Sequence, residues 1–154
     1  MNVYFLKLLQ QERGGSQKLL LLFAPRPKAC GMEVKMEKIN IKDKLNTFSE
    51  YWSPKIVGDI NETYVKLAKL KGEFVWHMHE NEDEMFMVIK GRMVIKLRTE
   101  EIILNEGEIF IIPRGIEHMP IAEEEVHVML FEPKTTLNTG NVKNEKTVEI
   151  LEKI

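Results

Sequence analysis

The run from Glu84 to Gly115, EMFMVIKGRMVIKLRTEEIILNEGEIFIIPRG, is a series of short apolar stretches, each closed by a turn signal. The signals are Lys90-Gly91-Arg92, Thr99-Glu100-Glu101, Asn105-Glu106-Gly107 and Pro113-Arg114-Gly115. Strands of about five residues, with turns spaced about 8–12 residues apart, predict an antiparallel sandwich or barrel. Upstream, TYVKLAKLKGEF alternates with a period of two, which puts Val65 and Leu67 on the expected core face. No helical pattern separates the strands, so a doubly wound parallel sheet is excluded. A chain of 154 residues is long enough for one domain with a real core.

Inside this pattern stands WHMHENEDEMFMVIKG, residues 76–91. Side chains alternate along a strand, so Val75, His77 and His79 are expected on one face, with the two histidines about 7 Å apart. The acidic bend ENED follows, and Glu84 opens the next strand with Phe86 and Val88 on its face. A hairpin of this length brings Glu84 opposite the histidine pair. A second element, GEIFIIPRGIEHMPIA, ends a strand at Pro113, turns, and delivers His118 at the start of another. Taken singly, a His-x-His pair is more often a polar face, an acidic bend is a solvated turn, and the methionines at 78, 85, 87 and 93 are core filler. His127, between two valines, is expected at the rim and has no assigned role. Two imidazoles and a carboxylate converging inside a barrel, with a third histidine nearby, fit a divalent first-row metal.

Charge and cysteine usage narrow the setting. The net charge of -2 and pI near 6.1 leave no nucleic-acid footprint. Cys30 is the single cysteine, so there is no disulfide framework, and a cytoplasmic location is expected. No apolar run reaches the roughly 18 residues that span a bilayer, so no membrane partner is expected. Residues 1–35 carry six Lys/Arg against two Glu, a net +4 that leaves -6 on the rest. Their apolar core, Leu19 to Ala24, is shorter than the roughly 7–15 residues of a secretory signal, and prolines follow it. Residues 1–35 therefore read as a poorly ordered N-terminal extension, with Met32 or Met36 as the expected start. The domain is expected over 36–133. Residues 134–154 read as a polar C-terminal tail, with a helical turn at TVEILEKI.

At its histidine clusters the sequence resembles the cupin superfamily. The first cupin motif is filled by Gly72, His77, His79, Glu84 and Gly91, and the second by Gly107, Pro113, Gly115 and His118. The gap between the motifs is short, as in small single-domain cupins of the mannose-6-phosphate-isomerase-like kind. The resemblance covers roughly 52–133. Four residues separate Gly72 from His77 where the motif has five, and Ala122 holds the motif's final Asn position.

The resemblance implies an all-β double-stranded β-helix, a jelly roll closed into a conical barrel. It implies metal ligation by His77, His79, Glu84 and His118, with Fe, Mn, Ni, Zn or Cu as the ion. An apolar lining from Val75, Phe86, Val88 and Ile111 would exclude water. It implies a small-molecule ligand or substrate, with a sugar derivative or organic acid expected, and a homodimer, with Trp52 against the partner or capping its own barrel. Cupin sites serve isomerases, dioxygenases and lyases as well as non-catalytic binding or sensor proteins, and fold alone does not choose among them. No catalytic residue and no organic cofactor are assigned.

Overall fold

The computed structural model describes residues 37–154; the reading of residues 1–35 as an extension lies outside them. The elements run α1 (Ile41–Leu45), β1 (Lys55–Ile60), β2 (Thr63–Glu73), β3 (Glu84–Lys90), β4 (Arg92–Leu97), β5 (Glu101–Asn105), β6 (Ile109–Ile112) and β7 (His118–Pro133). All strand pairings are antiparallel. The expected all-β jelly-roll barrel is what forms.

Two long strands build the barrel. The C-terminal part of β7 lies between β2 and β3, giving one sheet in the order β1-β2-β7-β3-β6. Its first residues, His118 to Ile121, pair instead with β4, which pairs β5. β2 makes the same passage: its register slips between Leu70 and Gly72, and Gly72 then faces Ala122. Gly72 has φ +80, a left-handed value that the absence of Cβ permits. The motif's displaced glycine therefore sits at the bulge where β2 bends from one sheet to the other.

Alternation sorts the side chains into two apolar layers. The interior holds Ala68, Leu70, Phe86, Val88, Ile95, Ile112, Val126, Val128 and Leu130. A second layer lies outside β2, where Leu67 packs with Val57 and with Leu45 and Phe48 from α1 and its exit. β2 is thus covered on both faces, and the face that reads as core, Val65 and Leu67, is the outer one. The inner face carries Lys66, which is fully buried. Strand alternation fixes which residues share a face but not which face meets the barrel, and α1 buries the other.

Residues 134–154 form no helix. Composition reads them as a tail, yet they lie on the barrel. Ile56 N–H donates to Glu152 O at 2.8 Å, and Ile154 N–H donates to Ile56 O at 3.0 Å. Thr139 is fully buried, its hydroxyl 2.8 Å from that of Thr147. Backbone hydrogen bonds to β1 and a few small buried side chains suffice to dock a segment of low mean hydropathy.

Candidate metal centre

β2 ends at Glu73, so the His-x-His pair lies on an extended stretch beyond the strand rather than within it. Its direction is set by pairing with β7: His77 N–H donates to His118 O at 3.0 Å, and His118 N–H donates to His77 O at 2.9 Å. Glu84 is the first residue of β3 and His118 the first of β7, as the sequence leads one to expect. All four side chains are buried, and one ligand atom from each lies within 4.8 Å of the others. The His77 and His118 rings are 4.2 Å apart, and those of His77 and His79 are 5.2 Å apart.

Backbone carbonyls orient two of the rings. His77 Nδ1 is 3.0 Å from Val75 O, and His118 Nδ1 is 3.0 Å from Ile116 O. Each carbonyl needs a donor, so Nδ1 carries the hydrogen and Nε2 is turned toward the cluster. His118 Nε2 meets Glu84 Oε2 at 3.1 Å. His79 Nε2 stands 3.5 Å from the same oxygen, without hydrogen-bond geometry, and has no other partner. A buried imidazole nitrogen without a partner is costly unless something else meets it.

Charge points the same way. Burial and the neighbouring His118 hold His77 down at about 4, so it stays neutral near neutral pH. Burial opposes charge on both Glu84 and His118, but their hydrogen bond wins: Glu84 is held well below the usual carboxylate range and His118 is raised. A second buried pair lies alongside: Lys66 Nζ donates to Glu132 Oε2 at 2.5 Å. Burial, then the charge of Glu84, pushes Glu132 up to about 7 despite that lysine. With neutral imidazoles, Lys66 balances one carboxylate and leaves the other unbalanced. The orphaned nitrogen, the three imidazoles and the unbalanced carboxylate together fit a divalent cation; in its absence a proton on His118 takes part of that role.

Two members of the cluster, His77 and Glu84, line a cavity of about 30 Å³, room for about two water molecules. Glu132 and Asn138 also line it, with Trp52, Leu70, Phe74, Phe86 and Leu130 among its apolar walls. The expected lining is right for Phe86 but not for Ile111, which is more than half exposed. Glu84 pairs with Ile112, so Ile112 turns inward and Ile111 outward. Val88 is buried in the core away from the cavity. Trp52 takes its own barrel rather than a free surface. Its ring stacks on Phe74 at 4.8 Å, and Nε1–H donates to Lys71 O at 2.8 Å.

Three supports escaped the sequence reading. Arg98 lies 3.8 Å over the Trp76 ring and donates to both carboxylate oxygens of Glu117, at 2.7 and 2.9 Å. Asn141 brackets the residue between the paired histidines: its Oδ1 accepts from Met78 N–H at 3.0 Å, and its N–H donates to Met78 O at 3.1 Å. Gly140 has φ +52, and a methyl there would overlap the Met78 carbonyl. Apart from a glycine–asparagine pair in a polar stretch, the sequence gives no signal for these contacts.

The cupin domain family, Cupin_2, matches residues 63–148, which reaches into the segment read as a tail. A crystal structure of a cupin-2 domain containing protein from Shewanella frigidimarina is similar at 44% identity. It covers 62% of this chain and 93% of that one, with a TM-score of 0.61. Protein NMB1881 from Neisseria meningitidis is 30% identical, covering 63% and 99%, with a TM-score of 0.59. The uncharacterized protein YdbB of Bacillus subtilis is 32% identical over 79 residues, 51% of this chain and 64% of that protein's length.

Proposed function

Since the chain belongs to the cupin domain family, we propose that His77, His79, Glu84 and His118 hold a divalent transition metal and that the protein is an enzyme acting on a small oxygen-rich molecule. The observation that carries this reading is the convergence of four buried donor atoms within 4.8 Å, with His77 and Glu84 lining a cavity. A bound divalent ion supplies Lewis-acid polarisation of a substrate oxygen, or a position for O₂ beside the substrate. The protein's own residues do the rest. Val75 O and Ile116 O hold the two imidazole tautomers, and Phe74, Phe86 and Leu130 keep water out. A sugar derivative and a small organic acid both fall within the reading. Isomerase, dioxygenase and lyase chemistry all remain within the reading, as does Fe, Mn, Ni, Zn or Cu. A homodimer and a cytoplasmic location belong to the same proposal. The first is supported by exposed isoleucines on β6, the second by the lone cysteine.

Metal analysis of the purified protein, followed by a thermal-shift screen of small metabolites and a turnover assay on the hits, tests the reading. About one ion per chain and turnover of a hit support it. Binding without turnover identifies a sensor, and absence of metal after reconstitution removes the metal assignment.

A further inference from the structure

A cleft of about 340 Å³ lies between the barrel and its C-terminal segment, and none of the four clustered residues lines it. Its volume is within the range of roughly 300–1,000 Å³ usual for small-molecule sites. Tyr64 of β2, Lys134 to Leu137 just past β7, and Val148 to Leu151 line it. Thr136 is only 7% exposed, and its hydroxyl is buried without a hydrogen-bond partner. Such a hydroxyl is costly, and a valine would fill the same space without that cost. Two positions away, Lys134 Nζ stands 3.3 Å from Asp59 Oδ2, and Lys153 Nζ stands 3.6 Å from the other oxygen. Two ammonium groups thus share one carboxylate, which leaves a positive surplus. Glu149, the acidic residue of the lining, is already paired with Lys143 at 3.0 Å. The apolar part of the lining includes Leu137, Val148 and Ile150, and Ile150 is 90% exposed.

We propose that this cleft is a second binding site, for an aliphatic carboxylate of medium chain length, with the head group on Lys134 and Thr136 and the tail along Leu137, Val148 and Ile150. It is separate from the metal centre and does not rest on the metal reading. The polar end of the cleft offers donors. A lysine ammonium carries three hydrogens, of which Asp59 engages one, and the Thr136 O–H is unused. An ionised carboxylate is acceptor-only, so it meets both donors, and its charge matches the positive surplus. The Tyr64 ring, 5.6 Å from Lys134 Nζ, helps to hold that ammonium at the cleft. An inorganic anion would meet the donors but leave the apolar lining unused, whereas an alkyl chain buries it.

Calorimetric titration of the full chain with octanoate, octanol and acetate tests this. Octanol keeps the tail without the charge, and acetate keeps the head without the tail; acetate also reports any carboxylate taken up at the metal cluster. One octanoate per chain is expected, bound at least about tenfold more tightly than either control. Lys134→Gln should abolish the preference over octanol. Thr136→Val should weaken octanoate on the order of 3- to 10-fold while leaving the melting temperature unchanged or raised, because it removes the unpartnered hydroxyl. Ile150→Asp, at a side chain too exposed to matter for folding, should weaken octanoate and leave acetate unaffected. Octanol or acetate binding as tightly as octanoate, several octanoates per chain without saturation, or full octanoate affinity in Lys134→Gln overturns the proposal. A lower melting temperature in Thr136→Val assigns the hydroxyl to folding and overturns its part in the site. If that variant does not fold, Lys134→Gln decides alone: Lys134 is part-exposed, and Asp59 keeps Lys153 as its partner.

Discussion

Acid separates two of the clustered side chains, His77 and His118. His77 stays neutral down to about 4, so in the metal-free protein it binds fewer protons folded than unfolded between pH 6.5 and 4. Stability linked to it is therefore complete above 6.5 and lost as pH falls, by up to about 3 kcal/mol. His118 behaves oppositely: its pKa is raised, so below that pKa it holds a proton that an incoming cation must displace. Metal affinity is accordingly expected to fall about tenfold per pH unit below the raised pKa of His118. Titration of the metal-loaded protein against a chelator checks this; affinity unchanged from pH 8 to 5.5 would contradict it. His77→Ala, His79→Ala and His118→Ala should each lose most bound metal, and Glu84→Ala should weaken binding. Unchanged stoichiometry in two of the three histidine variants would overturn the assignment.

Supports of the centre lie on elements that carry no ligand. Arg98, in the turn between β4 and β5, grips Trp76 and Glu117, the residues immediately before His77 and His118. It is more than half exposed, so the pair itself adds little to folding. Its value is in geometry, and Arg98→Ala is expected to weaken metal affinity on the order of 3- to 10-fold with little change in metal-free melting. Gly140 does the same from the other side. Gly140→Ala forces a methyl onto the Met78 carbonyl at a left-handed φ, and should cost more than about 1 kcal/mol, read as a lower melting temperature. The four clustered residues were legible in the sequence because motif spacing sets two of them, Glu84 and His118, at strand starts and two, His77 and His79, one residue apart just before β3. Their supports were not. Arg98 meets Trp76 across more than 20 residues of chain, and Asn141 docks by backbone bonds that any polar loop could make. The burial of Lys66 was not legible for a similar reason: alternation of β2 alone does not show that α1 covers its other face.

The outer surface of the barrel is not uniformly covered. α1 and the last residues close the apolar layer over β2, but the face continues across β7 and β3 to β6. Phe131 pairs with Met85, and Met85 with Ile111; Met129 pairs with Met87, and Met87 with Ile109. These two rows form one apolar stripe, and its outermost members, Ile109 and Ile111, are each 55% exposed. Among the described residues, β6 stands at the edge of the β1-β2-β7-β3-β6 sheet, with no strand paired on its outer side. An apolar stripe meeting a sheet edge is a surface that association would bury. The homodimer is therefore expected through β6 and its neighbours, and Trp52, turned into its own barrel, is not expected to contribute. Light scattering at micromolar concentration should give twice the 18.0 kDa chain mass. Ile109→Lys with Ile111→Lys should give a monomer that keeps its metal, since both residues point away from the centre. A wild-type monomer would remove the dimer, and a double variant that still dimerises would move the interface elsewhere.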